Sequence, residues 1–179
     1  MTTDTHLAAA RRTSPWRIAG WGLAATLLLL PAVAMQFTAE VNWTASDFVF
    51  AGVLIGGSGL LLELIARRSP DNAYRAAAGF ALLAAFLTLW ANAAVGMIGD
   101  EDNAYNLLFL GVLVVALLGA VLARFKPRGM TLAMAASGIV YAGIALGGLV
   151  TDPRGAVFSL GFATLWLLSA ALFHNSGKA

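Results

Sequence analysis

The chain has 179 residues, of which 60% are hydrophobic and only 11% charged. Soluble domains run at roughly 45–50% apolar and about 25% charged, so this chain lacks the polar surface to cover a water-soluble globule. That excludes an ordinary soluble enzyme, a disordered tail and a nucleic-acid-binding domain. The absence of Cys also excludes disulfides, thiolate metal sites and iron–sulfur clusters.

What remains is an integral membrane protein. A bilayer core takes about 20 mostly apolar residues per helix. Six stretches qualify, at 15–35, 44–66, 70–98, 104–124, 130–150 and 153–173. None alternates with the period of a barrel strand. The expected fold is therefore all-α: a single bundle of six antiparallel transmembrane helices over 14–174, with an N-terminal tail (1–13) and a C-terminal tail (175–179).

The first span follows Arg11-Arg12 and ends on Ala32-Val33-Ala34. That ending resembles a signal-peptide cleavage site. Thr-Ser-Pro is a poor continuation for a twin-arginine export signal, and a retained anchor helix is the plainer reading. The second span opens on Thr44-x-x-Asp47, a capping box with Asp in place of Glu. Ser14-Pro15, Ser69-Pro70 and Asp152-Pro153 each pair a capping side chain with Pro at the first helical position. Lys126-Pro127-Arg128-Gly129 reads as the tight turn after the fourth span. Phe50-Ala-Gly-Val-Leu and Phe109-Leu-Gly-Val-Leu hint at a duplicated hairpin, although helices rich in Leu, Ala and Gly coincide this closely by chance.

Charge gives the orientation. With six spans, Arg11, Arg12, Arg17, Arg67, Arg68, Arg75, Arg124, Lys126, Arg128 and Lys178 fall on one side, and Arg154 alone on the other. The basic side is cytoplasmic, so both termini are expected inside. The outer side collects Glu40, Asp47, Asp100, Glu101, Asp102 and Asp152. A nearly neutral total thus conceals an acidic rim and a basic rim.

The polar groups near the spans each carry two readings. Asp47 in a first turn either caps its helix and complements the dipole or serves as an intramembrane cation site. Glu63 pairs with Arg67 at i,i+4 or relays protons. Asn92 is glue between helices, bonding Asp47 or Ser46, or part of a polar vestibule. Asp100-Glu101-Asp102 concentrates cations at an outer mouth or is a solvated turn in which Asp102 or Asn103 caps the fourth helix. In each pair the structural reading has the firmer physical ground. Gly56-Gly57-Ser58-Gly59 matches the nucleophile signature of rhomboid intramembrane proteases. A Ser nucleophile needs a His within reach, and His174 sits at the far end of the sixth span. Gly52-x-x-x-Gly56 and Gly143-x-x-x-Gly147 read instead as faces for close helix packing. His6 and His174 lie outside the membrane depth that a haem needs. Trp16 and Trp43 suit the interfacial belts, whereas Trp90 and Trp166 lie deeper, as packing residues.

Three strings carry a resemblance: Val41-Asn42-Trp43-Thr44 with Asp47-Phe48, Ala94-Val95-Gly96 with Gly99 and Glu101-Asp102-Asn103, and Ala123-Arg124-Phe125 with Pro127 and Gly129-Met130. From Gln36 onward the chain resembles a set of small uncharacterised bacterial inner-membrane proteins. The resemblance implies the bacterial cytoplasmic membrane and transfers no catalytic or binding residue.

The functional expectation is a non-enzymatic accessory, assembly or interaction protein. Its partners are the lipid bilayer and either further copies of itself or a membrane complex, with no nucleic acid and no cofactor. The alternative is a small cation or solute transporter, with Asp100, Glu101 and Asp102 at an acidic mouth above Asp47 and Asn92.

Overall fold

A computed structural model describes residues 15–176. His6, Arg11, Arg12, Ser14 and Lys178 lie outside the described residues, and with them the Ser14 cap and the twin arginine. Every regular element described is helical. In chain order these are α1 (Pro15–Ala34), α2 (Ala45–Arg68), α3 (Asn72–Ala94), a 3-10 turn (Ala104–Asn106), α4 (Leu107–Leu122), α5 (Pro127–Gly147), a second 3-10 turn (Gly148–Val150) and α6 (Pro153–Ser176). Counting Ala104–Asn106 with α4 and Gly148–Val150 with α5, all six helices are long and apolar enough to cross a membrane.

The boundaries show which local signals govern. At α2, Asp47 Oδ2 accepts from Thr44 N at 2.7 Å, and Asp47 N donates back to Thr44 Oγ1 at 3.4 Å. This is the reciprocal capping box. At α6, Asp152 Oδ1 accepts from Gly155 N at 2.9 Å, as expected for a cap before Pro153. Two expected boundaries are corrected. The cap of α3 is Asp71, which accepts from Ala73 N at 2.8 Å, and not Ser69 before Pro70. Ser69 stays in the linker, where its carbonyl accepts from Arg75 Nε at 2.7 Å. The turn after α4 is made by Arg124 and Phe125, both at positive φ (51° and 57°), and not by Lys126–Gly129. Pro127 is instead the first residue of α5, where its missing N–H costs nothing. At the chain's end α6 continues through Ser176, beyond the expected limit at 174.

The described residues fall into two compact units that divide inside α2, between Leu60 and Leu61. In the first unit, α1 and α2 meet through side chains. A Cβ built on Gly59 would stand 3.4 Å from the Trp21 ring, and one on Gly52 would stand 3.8 Å from Leu28 Cδ2. Little of either helix is buried, only 6% of each spanning window.

In the second unit, α6 packs on α3 and on α5, and α4 packs on α5. Up to 39% of a spanning window is buried here. Phe109, Tyr141, Trp166 and Phe173 fill the core against alanines of α3, among them Ala77, Ala78 and Ala84. Small residues let the helix backbones approach. A Cβ on Gly119 of α4 would lie 2.7 Å from Ala133 Cβ of α5, and one on Gly138 of α5 would lie 2.7 Å from Leu167 Cδ2 of α6. Hydroxyls of α6 bind the backbone of α3 and of the loop that follows it: Ser169 Oγ donates to Ala77 O at 2.8 Å and Ser159 Oγ to Met97 O at 3.3 Å.

Candidate functional site

The second unit has two unlike ends. At the first, α3 stops at Ala94, earlier than the expected limit at Ile98, and the chain folds back on itself. Gly96 and Gly99 take φ of +75° and +72°, which only Gly adopts freely. Asn106, 4% exposed, anchors the loop. Its Oδ1 accepts from Met97 N (3.1 Å) and Ile98 N (2.8 Å), and its Nδ2 donates to Asp100 O (2.7 Å). Asn103 caps the 3-10 turn by accepting from Tyr105 N and donates to Ile98 O. Asp152 Oδ2 accepts from Gly99 N at 3.0 Å, joining the loop to the start of α6. The backbone N–H groups of Gly155 and Gly99 hold the Asp152 carboxyl below the usual carboxylate range. Tyr105 OH donates to Ile144 O at 2.7 Å and tethers the loop to α5. The result is a clasp in which each of these polar side chains has a backbone partner. Asp100, Glu101 and Asp102 stand exposed on its outside.

At the opposite end Tyr74 of α3 donates to Phe125 O at 2.8 Å, and its ring meets Phe173 of α6 edge-on at 5.0 Å. Beside this bridge lies an apolar cleft of about 710 Å³. The last turns of α2, the first half of α3 and the second half of α4 form its walls, through residues such as Leu64, Ala81 and Ala116. Met130, Met134 and Trp166 also line it. Trp166 is 2% exposed, and its Nε1–H has no hydrogen-bond partner. A buried donor in that state costs roughly 1–3 kcal/mol.

The rim of the cleft is cationic. Arg68 is exposed and lines it. Lys126 and Arg128, both exposed, flank the lining residue Pro127. Arg67 and Arg75 at this end are engaged. Arg67 pairs with Glu63 at i,i+4, as its spacing implied. Arg75 donates to Ser69 O and Ala66 O and reaches Asn72 Oδ1 at 3.4 Å. The lining includes a single acid, Asp71, whose Oδ1 is held by Ala73 N as the α3 cap.

The residues singled out by sequence are thus dispersed. Asp47 is engaged at its capping box, and Asn92 Nδ2 donates to Thr88 O of its own helix at 2.9 Å rather than reaching for Ser46 or Asp47. Among the packing glycines, Gly147 lies under Tyr105 OH, at 2.6 Å from a Cβ built there, whereas Gly56 and Gly143 have nothing within 4 Å. Close approaches between neighbouring helices also fall at Gly119 and Gly138, which no G-x-x-x-G spacing marks. The described residues contain no cluster of His, Cys, Asp and Glu able to hold a metal ion. Sequence reasoning missed the cleft. Its walls are Leu and Ala positions like any others, and the signal nearest to it was the surplus of Arg and Lys on one side of the spans.

Compared with known proteins, the chain matches no family model, no curated protein and no solved structure.

Proposed function

We propose that this is a multi-pass protein of a bacterial inner membrane, with antiparallel helices and both termini cytoplasmic. It acts by binding within the membrane as an accessory, assembly or interaction protein, and not by catalysis. One observation carries the reading. The polar side chains of the clasp and Ser169 of α6 close onto backbone groups, while the cleft at the opposite end is walled mainly by apolar side chains, with Arg68 and Asp71 at its rim. Polar groups already held by carbonyls and amides are not poised for proton transfer or nucleophilic attack. An apolar concavity with a few polar groups at its edge is the usual form of a binding site.

The orientation places the basic rim in the cytoplasm and the acidic loop outside. The chain has no native Cys, so single cysteines report sidedness directly. A Cys at Asp102 should react with an impermeant maleimide in intact cells, and one at Lys126 only after lysis. The reverse pattern overturns the topology. For the binding role, the full-length protein is extracted in mild detergent and weighed by native mass spectrometry. A retained lipid, protein subunit or second copy is expected. A bare monomer under all mild conditions overturns the reading.

A further inference from the structure

We propose that the cleft at the basic end of the second unit seats a phospholipid with an anionic headgroup, its acyl chains between α3 and α4 and its phosphate at Arg68. The inference rests on the membrane-binding role proposed above and names its ligand.

Three features of the cleft select this occupant. The first is depth. Along α3 the lining runs from Asp71 to Ala85, about 21 Å at 1.5 Å per residue, and then stops. Along α4 it runs from Leu113 to Ala120, the half nearest the same rim. A hydrocarbon core is about 30 Å thick, so the cleft serves one leaflet and its headgroup zone. A spanning partner helix would need a groove along the full length of α3 and α4.

The second feature is the wall chemistry. Leu61, Leu64, Leu113 and Leu117 alternate with the small side chains of Ala78, Ala81, Ala85 and Ala116. This leaves a smooth apolar slot with no polar side chain on the α3 and α4 walls below Tyr74. Flexible acyl chains fill such a slot without needing a hydrogen-bond partner.

The third is charge placement. Arg68 is the cation of the lining, exposed at the rim, and Lys126 and Arg128 stand on either side of Pro127. Basic groups between helices at the cytoplasmic surface hold anionic headgroups, each contributing about 1 kcal/mol. The guanidinium also offers paired donors that match phosphate oxygens. At the other end of the unit the exposed charges are Asp100, Glu101 and Asp102 with Arg154 alone against them, a net negative set that would repel the same headgroup.

The test uses the full-length protein in mild detergent. Native mass spectrometry follows retention of palmitoyl-oleoyl phosphatidylglycerol against phosphatidylcholine with the same chains. One equivalent of phosphatidylglycerol is expected to be held in preference. Arg68→Gln should lower that preference about fivefold, the effect of a single basic residue at a membrane surface. Arg154→Gln, at the other end, should leave it unchanged. Two independent fillers, Ala81→Phe and Ala85→Leu, should abolish retention, and an unchanged thermal midpoint in either one shows that the bundle is intact. Equal retention of the two lipids by the wild type and by Arg68→Gln overturns the anionic ligand. If the fillers still displace a bound species in that case, the broader binding role survives. Retention untouched by both fillers overturns the cleft as the seat. A filler that turns a dimer into a monomer assigns the cleft to a second copy and overturns the lipid. A protein that retains nothing under any condition overturns this inference and the binding role together.

Discussion

The two ends of the second unit are built from the same helices and solve different problems. At the acidic end the chain has to cross from α3 to α4 and from α5 to α6. It does so with buried amides, positive-φ glycines and an aspartate bonded to two backbone N–H groups. At the basic end α3 and α4 line a slot beside the bridge from Tyr74 to Phe125. In a bilayer a backbone polar group needs an internal partner, whereas an apolar gap can be filled by lipid. The clasp is therefore the rigid part and the cleft the adaptable part. Exposed acids alone do not mark the place where a ligand would sit.

If that contrast holds, substitutions at the clasp should cost stability and substitutions in the cleft should not. The largest effect is expected for Asn106→Ala. It leaves the N–H groups of Met97 and Ile98 and the carbonyl of Asp100 without their partner. At about 1–3 kcal/mol for a buried orphan group, a loss of roughly 3–5 kcal/mol should appear in denaturant unfolding in detergent micelles. A loss below about 1 kcal/mol would show that the clasp is not rigid. Next comes Gly96→Ala. Its new Cβ would press on the backbone of Asp100 and come within 2.8 Å of Asn106 Nδ2, at a φ unfavourable to Ala. A cost of about 2–3 kcal/mol is expected in the same assay, from left-handed backbone strain and overpacking together.

Asp152 adds a pH signature. Its carboxyl is held below the ordinary range by the N–H groups of Gly155 and Gly99. A depressed folded pKa contributes stability that is fully present above the unfolded value near 3.9 and is lost as pH falls through the folded one. The thermal midpoint of Asp152→Asn should lie below that of the wild type at pH 6. The two should converge as the pH is lowered past the carboxylate range. A gap independent of pH would remove the charge from the argument. The smallest effect is expected for Ala81→Phe, which extends a half-buried wall residue into the open slot. Its unfolding free energy should stay within about 0.5 kcal/mol of the wild type, the range of substitutions away from packed or bonded features. A drop of several kcal/mol would mean that the slot is closed core.

Much of the helical content was legible in the sequence. Thr44 with Asp47, Asp152 before Pro153, Asn103 as a cap and Glu63 with Arg67 are local signals, each completed within five residues, and the structure contains all four. Where two local signals competed, sequence reasoning chose wrongly. Asp71 displaced Ser69 as the α3 cap, and Arg124 and Phe125 made the turn assigned to the residues around Pro127. Of the spaced glycines, Gly52 and Gly147 meet Leu28 and Tyr105, whereas Gly56 and Gly143 have nothing within 4 Å. Spacing shows that Gly56 and Gly143 could admit a neighbour, but only the lateral order of α3, α6, α5 and α4 decides that the neighbours meet at Gly119 and Gly138.

The composition of this chain and its helix-length apolar runs determined by themselves that six helices can cross a membrane, because the hydrophobic period and length of a span are local properties. The unequal distribution of Arg and Lys along the chain is likewise a property of sequence alone. Tertiary structure alone decided that the acidic side is a closed clasp and that the basic side carries a cleft. Both arise from residues tens of positions apart: the contacts of Gly99 with Asp152 and of Tyr74 with Phe125, and the gap lined by Ala81 and Ala116. A cleft is made by what the helices leave unfilled, and no single run of sequence records that.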